Sequence, residues 1–473
     1  MVAADSRTRA FTQLASGSGQ GFLLNPQPAA VRTKCKEAHT VKRHIYWFQQ
    51  DLRLQDNPGL LAHADAEQLL LVFCWPRNRP WCNLTGMGAQ RERFLIETLQ
   101  ALRAELAALG QQLLVVFGAP EEEIPRLVRR FQADSIGTAL TPGYYERKAR
   151  EHVSRSLQIP LQVHAGNTLF SAQQLPFSLD KLPLHFTPFR NRVENLRSAS
   201  PLATLTALPP PPMMEFNELP QPSVAAPIAL PLRGGAVAGR RQLQHWTAEH
   251  GGIGNYKQTR NCLDGLDGSS TLSPWLANGA LSVREVAAAI ERHECEFGAN
   301  ESTQSLLLEL LWREFFHWRA LANDVALFRL GGAGGRLHRC TFEPRNFARW
   351  SKGDTNVPLV NALMRQLLAT GWMSNRGRQI AASYLVNELG MDWRYGAAFF
   401  EKHLIDYDVG SNYGNWQYLA GVGADPRGGR HFNLAKQAEQ FDPTQQFTHK
   451  WDGFQPQQPE FVTDGADWPI DPR

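Results

Sequence analysis

Between His44 and His164, five strand-length apolar runs alternate with helical stretches. The runs cover residues 44–48, 69–75, 113–117, 136–140 and 161–164. The clearest helical stretch, 89–109, carries Phe94, Leu95, Leu99, Leu102 and Leu106 at helical spacing. Strands separated by helices are joined by crossovers, so they predict a parallel, doubly wound sheet. The first run is followed by Gln49, Gln50, Asp51, Leu52 and Arg53 rather than a G-x-G-x-x-G turn. This is therefore not an ordinary dinucleotide-binding sheet, and Gly17, Gly19 and Gly21 precede any strand.

A different pattern follows. Residues 197–235 are rich in Pro, Ala and Leu and include Pro209 to Pro212, which no regular helix or central strand tolerates. From about 238 to 450 the pattern is helical, interrupted by Gly331, Gly332, Gly334 and Gly335. We therefore expect an extension at 1–40, an α/β domain at 41–170 and a connector at 171–237. A helical domain at 238–451 and a short polar tail at 452–473 complete the chain. The extension holds Arg7, Arg9, Arg32 and Lys34 and no acid between Asp5 and Glu37, as a disordered segment or an organelle transit peptide would. A bacterial source would place the protein in the cytoplasm, and a eukaryotic one would admit a plastid or mitochondrion.

Composition excludes several classes. A net charge of +4 permits nucleic-acid binding without arguing for it. The six Cys form no C-x-x-C pair and no His cluster joins them, so we expect reduced thiols and no metal site. No apolar run is long enough to span a membrane.

Three patches in the helical half carry candidate chemistry. Tyr256 and Lys257 to Arg260 precede Ser269, Ser270, Thr271, Leu272 and Ser273, with Pro274 next. Consecutive hydroxyls before a helix suit either a phosphate cradle or a plain N-cap. Glu309, Trp312 and Arg313 share one helix face and could read a base and its phosphate, or form a salt bridge beside a core Trp. Asn375 and Arg378 lie one turn apart, and Asp406 and Asp408 follow beyond the next helix. A buried Arg378 would need a carboxylate, which Asp406 can supply.

Together these patches resemble the photolyase/cryptochrome family over roughly residues 43–451. W-F-x-x-D-L-R-L-x-D-N at 47–57 is similar to the family's first strand and turn. Segments 271–277, 312–316, 375–379 and 406–418 are similar to its FAD-binding core. Leu175 to Phe177, F-T-P-F-R-N-R-V-E at 186–194, S-N-R-G-R-Q at 374–379 and W-Q-Y at 416–418 resemble the cryptochrome DASH type. Tyr418 replaces a second Trp, and Gln379 a Met, of bacterial dimer photolyases.

The resemblance implies the fold: an α/β doubly wound parallel sheet domain plus a larger all-α FAD-binding domain, joined by a long Pro-rich connector. It implies one FAD per subunit. Tyr256, Ser269, Ser270, Thr271, Leu272 and Ser273 would hold its pyrophosphate. Asn375, Arg378, Asp406, Asp408 and Asn412 would surround the rest, with Asn412 at the flavin N5. Glu309 and Arg313 would line the space between flavin and DNA. Glu309 would bond a pyrimidine dimer, with Trp312 and Tyr418 as its walls. Arg260, Arg376, Gln379 and Arg430 would contact DNA. Trp416 and Trp393 would begin an electron relay whose third member is replaced by Cys340. A methenyltetrahydrofolate antenna, one per subunit, would be held by Glu146 or Glu151. The implied activity is light-driven repair of cyclobutane dimers, preferentially in single-stranded or looped DNA, by a monomer. A blue-light receptor that binds nucleic acid without repair is the alternative. Met373 and Ser374 stand where repair of (6-4) photoproducts would need His.

Overall fold

The computed structural model describes residues 41–454 except 78, 337 and 338. The expected extension and most of the tail lie outside the described residues. Five strands form one sheet: β1 (Arg43–Phe48), β2 (Gln68–Cys74), β3 (Leu113–Val116), β4 (Ser135–Ala139) and β5 (Leu161–His164). Their order is β3-β2-β1-β4-β5 and every pairing is parallel. The winding direction therefore reverses between β1 and β4. β1 to β4 are buried almost throughout, as strands covered on both faces require. Helices account for the ordered elements from Ala236 to Lys450. Among the described residues no helix is long and apolar enough to cross a membrane.

No helix or strand occurs between Glu194 and Gly235. This segment packs Leu205, Leu208 and Leu219 against the sheet core. Its Asn217 meets β3 with both ends of the amide: Nδ2 donates to the Val115 carbonyl at 2.7 Å, and Val115 N–H donates to Oδ1 at 3.3 Å.

In open α/β sheets the crevice beside a winding reversal commonly receives a ligand. Here the turn after β1 docks onto the helical region. Gly279 makes that approach possible: its φ is +72°, and a Cβ there would lie 1.9 Å from the Gln50 carbonyl oxygen. Arg53, fully buried in this turn, spends its guanidinium on four oxygens. Nη1 donates to Asn167 Oδ1 at 3.0 Å and the Gly279 carbonyl at 2.9 Å. Nη2 donates to the Asp56 carbonyl at 2.9 Å and the Gly166 carbonyl at 2.7 Å. Burial lowers the Arg53 pKa, and the Asp51 and Asp56 carboxylates oppose that.

Asp56 forms a second tie. Its carboxylate accepts from Arg284 Nε at 2.9 Å and Nη2 at 2.6 Å, from Leu202 N–H at 2.8 Å, and from the Ser282 hydroxyl. Asp56→Ala would leave Arg284 facing a buried void, a change that typically costs about 3–5 kcal/mol. We expect the denaturant midpoint to fall with an unchanged slope. Equilibrium unfolding of the variant beside the parent measures this.

Candidate functional site

A cavity of about 550 Å³ opens among the helices, within the size range of cofactor sites. Three helices build about half of its wall, and the segment from Tyr256 to Ala277 supplies much of the rest. Helix Glu301–Asn323 is started by Asn300, whose Oδ1 accepts from the N–H groups of Ser302 and Thr303 at 2.8 and 3.0 Å. Its one-turn spacing brings Glu309, Trp312 and Arg313 to the cavity. Helix Asn375–Ser383 is capped by the Ser374 hydroxyl, which accepts from Gly377 N–H at 3.1 Å. Helix Val409–Leu419 is capped by Asp408, which accepts from Ser411 N–H at 2.7 Å. Gly414 lets this last helix lie against the first, because a Cβ there would sit 2.3 Å from the Phe316 ring.

One set of contacts is ionic and hydroxylic. Asp406 Oδ2 accepts from Arg378 Nη2 at 2.8 Å and from the Ser273 hydroxyl at 2.7 Å. Arg378 Nε donates to the Met373 carbonyl at 2.8 Å. The expected Arg378–Asp406 pair is therefore formed, with the Asp406 side chain 2 % exposed. Its other oxygen, Oδ1, is buried without a hydrogen-bond partner among the described residues. Thr271 holds the adjacent segment in the left-handed region, at φ +49°. Tyr256, Ser269, Ser270, Leu272, Ser273, Asn375 and Asp408 line the same cavity.

A second set is aromatic and cationic. Trp312 meets Tyr418 edge to face at 5.9 Å and 79°. Its opposite partner is Phe186, stacked at 3.7 Å and 9°. Arg260 Nη1 donates to Glu309 Oε1 at 2.7 Å. Arg376 Nη2 donates to Asn261 Oδ1 at 3.0 Å, and Arg430 Nη2 to the Tyr418 hydroxyl at 2.6 Å. Burial lowers the Arg376 pKa, and the charges of Arg260 and Arg430 lower it further. Three guanidiniums thus face the cavity close enough to repel one another, an arrangement suited to anions. Desolvation raises the Glu309 carboxyl, and Arg260 partly offsets it.

Three named residues stand apart. Asn412, Trp393 and Trp416 do not line the cavity. Asn412 is buried, and its Nδ2 donates to the Ala397 carbonyl at 3.0 Å. Its neighbours Ser411 and Asn415 line the cavity instead. Trp416 packs against Phe400 at 5.1 Å and Trp350 at 6.4 Å. Trp393 Nε1 donates to the Leu330 carbonyl at 3.0 Å. Cys340 lies near the Asp392 and Arg394 charges. Gln379 lines the cavity with the arginines.

Reading the sequence alone missed Phe186 as a cavity-wall support and Glu314 as an anchor. Glu314 is fully buried and accepts from the N–H groups of Leu169 and Phe170 at 2.8 and 3.2 Å and from Trp318 Nε1 at 2.8 Å. Burial raises its carboxyl to about 7 despite these donors. Its place beside Arg313 in W-R-E was visible, but its distant amide partners were not. The antenna candidates also differ. Glu151 is half-buried and paired with Lys148 at 3.0 Å. Glu146 is reached by solvent yet crowded by protein, and desolvation raises its carboxyl, with Glu401 adding to the effect. Among the described residues no group of three or more His, Cys, Asp or Glu could hold a metal ion.

Comparison with known proteins places this geometry in context. Residues 44–212 match a model described as DNA photolyase, and residues 306–453 match the FAD binding domain of DNA photolyase. A protein named Cryptochrome DASH from Idiomarina loihiensis is 44 % identical over 438 residues, covering 90 % of this chain and 96 % of that protein. One of the same name from Vibrio parahaemolyticus is 40 % identical, covering 90 % and 97 %. A crystal structure of a Synechocystis cryptochrome superposes with a TM-score of 0.83 at 36 % identity, covering 87 % of this chain and 89 % of that one.

The Arg378–Asp406 pair yields a direct expectation. Removing the carboxylate with Asp406→Ala leaves Arg378 unpaired at the cavity, a loss of about 3–5 kcal/mol by the usual cost of splitting a buried pair. The variant should purify largely without flavin. Flavin absorbance per mole of protein measures it, and an undiminished ratio would remove Asp406 from the ligand set.

Proposed function

The chain belongs to the photolyase/cryptochrome family, in its cryptochrome DASH branch, and from that footing we propose that it repairs cyclobutane pyrimidine dimers by light, preferentially in single-stranded or looped DNA. The observation that carries this reading is one continuous cavity with two chemistries. An Arg378–Asp406–Ser273 cluster with an unpartnered buried oxygen adjoins an aromatic wall ringed by three arginines.

The ionic set fits FAD. Asp406 Oδ1 is an acceptor awaiting an N–H donor, and Ser269 and Ser270, which line the same cavity, would donate their hydroxyls to the pyrophosphate. Tyr256, Asn375, Arg378 and Asp408 would complete the holding set. Held there and fully reduced, FAD would supply light-driven one-electron chemistry, the electron being returned when the cyclobutane ring opens, so the reaction would be redox-neutral overall.

The chain's own residues do the rest. Trp312 and Tyr418 present π surface to a base lifted from its strand. Arg260, Arg376 and Arg430 compensate phosphate charge, with Gln379 among them. Glu309 Oε1 accepts a hydrogen bond from Arg260 Nη1, and the upward shift of its carboxyl suits it to bond a base that displaces Arg260. Glu146 beside Tyr145, over which Arg79 lies at 5.0 Å, would receive a methenyltetrahydrofolate antenna. The functional unit we propose is a monomer.

Two measurements address this reading. Trp416→Phe should slow photoreduction of oxidised flavin while sparing repair by chemically reduced protein; equal photoreduction would exclude Trp416 as the first relay. For substrate form, extrusion from a duplex costs a few kcal/mol more than from a single strand. Stacking is worth about 1–3 kcal/mol per base, and Tyr offers less ring than Trp. Single-strand repair should therefore exceed duplex repair at least about tenfold, the equivalent of ~1.4 kcal/mol. Repair of a defined thymine dimer in both forms decides it. Equal rates would remove the single-strand preference, and none in either form, with FAD bound and reduced, would favour a light receptor.

A further inference from the structure

Helix Asn375–Ser383, which brings Asn375, Arg376, Arg378 and Gln379 to the cavity, does not end in an ordinary turn. It runs into a π-helical turn, Tyr384–Glu388. Such wide turns are rare and often accompany function. This one sets Ser383 and Asn387 side by side, with Asn387 Nδ2 donating to Ser383 Oγ at 3.1 Å. Both then grip the segment that carries Arg430. Asn387 Nδ2 donates to the Arg430 carbonyl at 2.8 Å, and Phe432 N–H donates to Ser383 Oγ at 3.0 Å. From the other side Arg430 N–H donates to the Leu419 carbonyl at 3.0 Å.

With its backbone held at both groups, Arg430 extends to the cavity. Nη2 donates to the Tyr418 hydroxyl at 2.6 Å, and the guanidinium carbon lies 4.8 Å from the Tyr418 ring centre. The buried Asp425 carboxylate stands 3.5 Å from Nε and adds its charge. Asn387 itself is exposed and does not line the cavity.

We propose that Asn387 is a positioning residue for the aromatic wall: by fixing the Arg430 carbonyl it keeps the guanidinium on Tyr418, and so keeps the Tyr418 ring square to Trp312. This rests on the dimer-binding reading of that wall and adds to it. It also changes the meaning of Tyr418. Its hydroxyl is used as an acceptor, and an indole N–H can only donate. Tyr418→Trp would therefore add ring surface while breaking the hold of Arg430, so positions 418 and 430 are one unit.

The test uses the full-length holoprotein. A fluorotyrosine placed at position 418 reports the ring directly by fluorine NMR in the dark. Arg430→Met should move its resonance, and Asn387→Ala and Asn387→Asp should move it in the same direction, with flavin content unchanged. Affinity for a single-stranded thymine-dimer oligonucleotide should fall about fivefold in Asn387→Ala, the ~1 kcal/mol of one hydrogen bond. That loss should shrink when Asn387→Ala is made in a Tyr418→Phe background, because the link through the ring is gone and only the phosphate contact of Arg430 remains. A resonance that Arg430→Met moves and neither Asn387 variant does would overturn the proposal. So would an equal loss of affinity in the Tyr418→Phe background. If the parent protein shows no preference for the dimer over undamaged strand, the dimer-binding reading fails, and the fluorine shift still decides whether Asn387 sets Tyr418.

Discussion

The arrangement depends on a guanidinium buried where no carboxylate hydrogen-bonds to it. Arg53 is satisfied by one side-chain oxygen and three carbonyls drawn from the β1 turn, the 166–167 loop and Gly279. A charge held this way tolerates little displacement, because each oxygen lost leaves a desolvated donor. Asn167 is reached from the other direction as well, since Arg313 Nη1 donates to its carbonyl at 2.8 Å. Arg313 also lines the cavity. The position of the helix that bears Glu309 and Trp312 is thus tied, through one short loop, to the end of the central strand.

The cavity repeats that logic with opposite intent. Around Arg53 every polar atom but Nε is matched. At Asp406 one oxygen is left over, and three arginines are kept near enough to disfavour one another. Mismatched polar groups raise the energy of the empty site and lower that of the filled one, which is how a folded chain reserves room for a ligand.

Much of this was legible in the residues. Each strand lies within one position of the run that announced it, and β1, β2 and β3, buried on both faces, read as nearly unbroken apolar runs. The Arg378–Asp406 pair followed from charge alone, since a buried cation demands an anion. What escaped were contacts between residues far apart in the chain. The Glu314 bonds to the Leu169 and Phe170 amides, the Phe186 stack on Trp312, and the π turn that seats Asn387 leave no periodic trace. Asn412 lies on the helix its motif pointed to, with its Nδ2 bonded to the Ala397 carbonyl and its neighbours Ser411 and Asn415 lining the cavity.

The amide of Asn217 has an effect well away from the cavity. β3 is an outer strand composed of Leu113, Leu114, Val115 and Val116, the composition most prone to recruit a strand from another molecule. The opposite outer strand, β5, carries Gln162 and His164 and is mostly open to solvent. Asn217 occupies both outward groups of Val115, so a single side chain imitates one rung of a sixth strand without inviting a seventh. The irregular segment that carries it is therefore a guard against self-association as much as a link: it lets an apolar edge persist in the fold without becoming a template for aggregates.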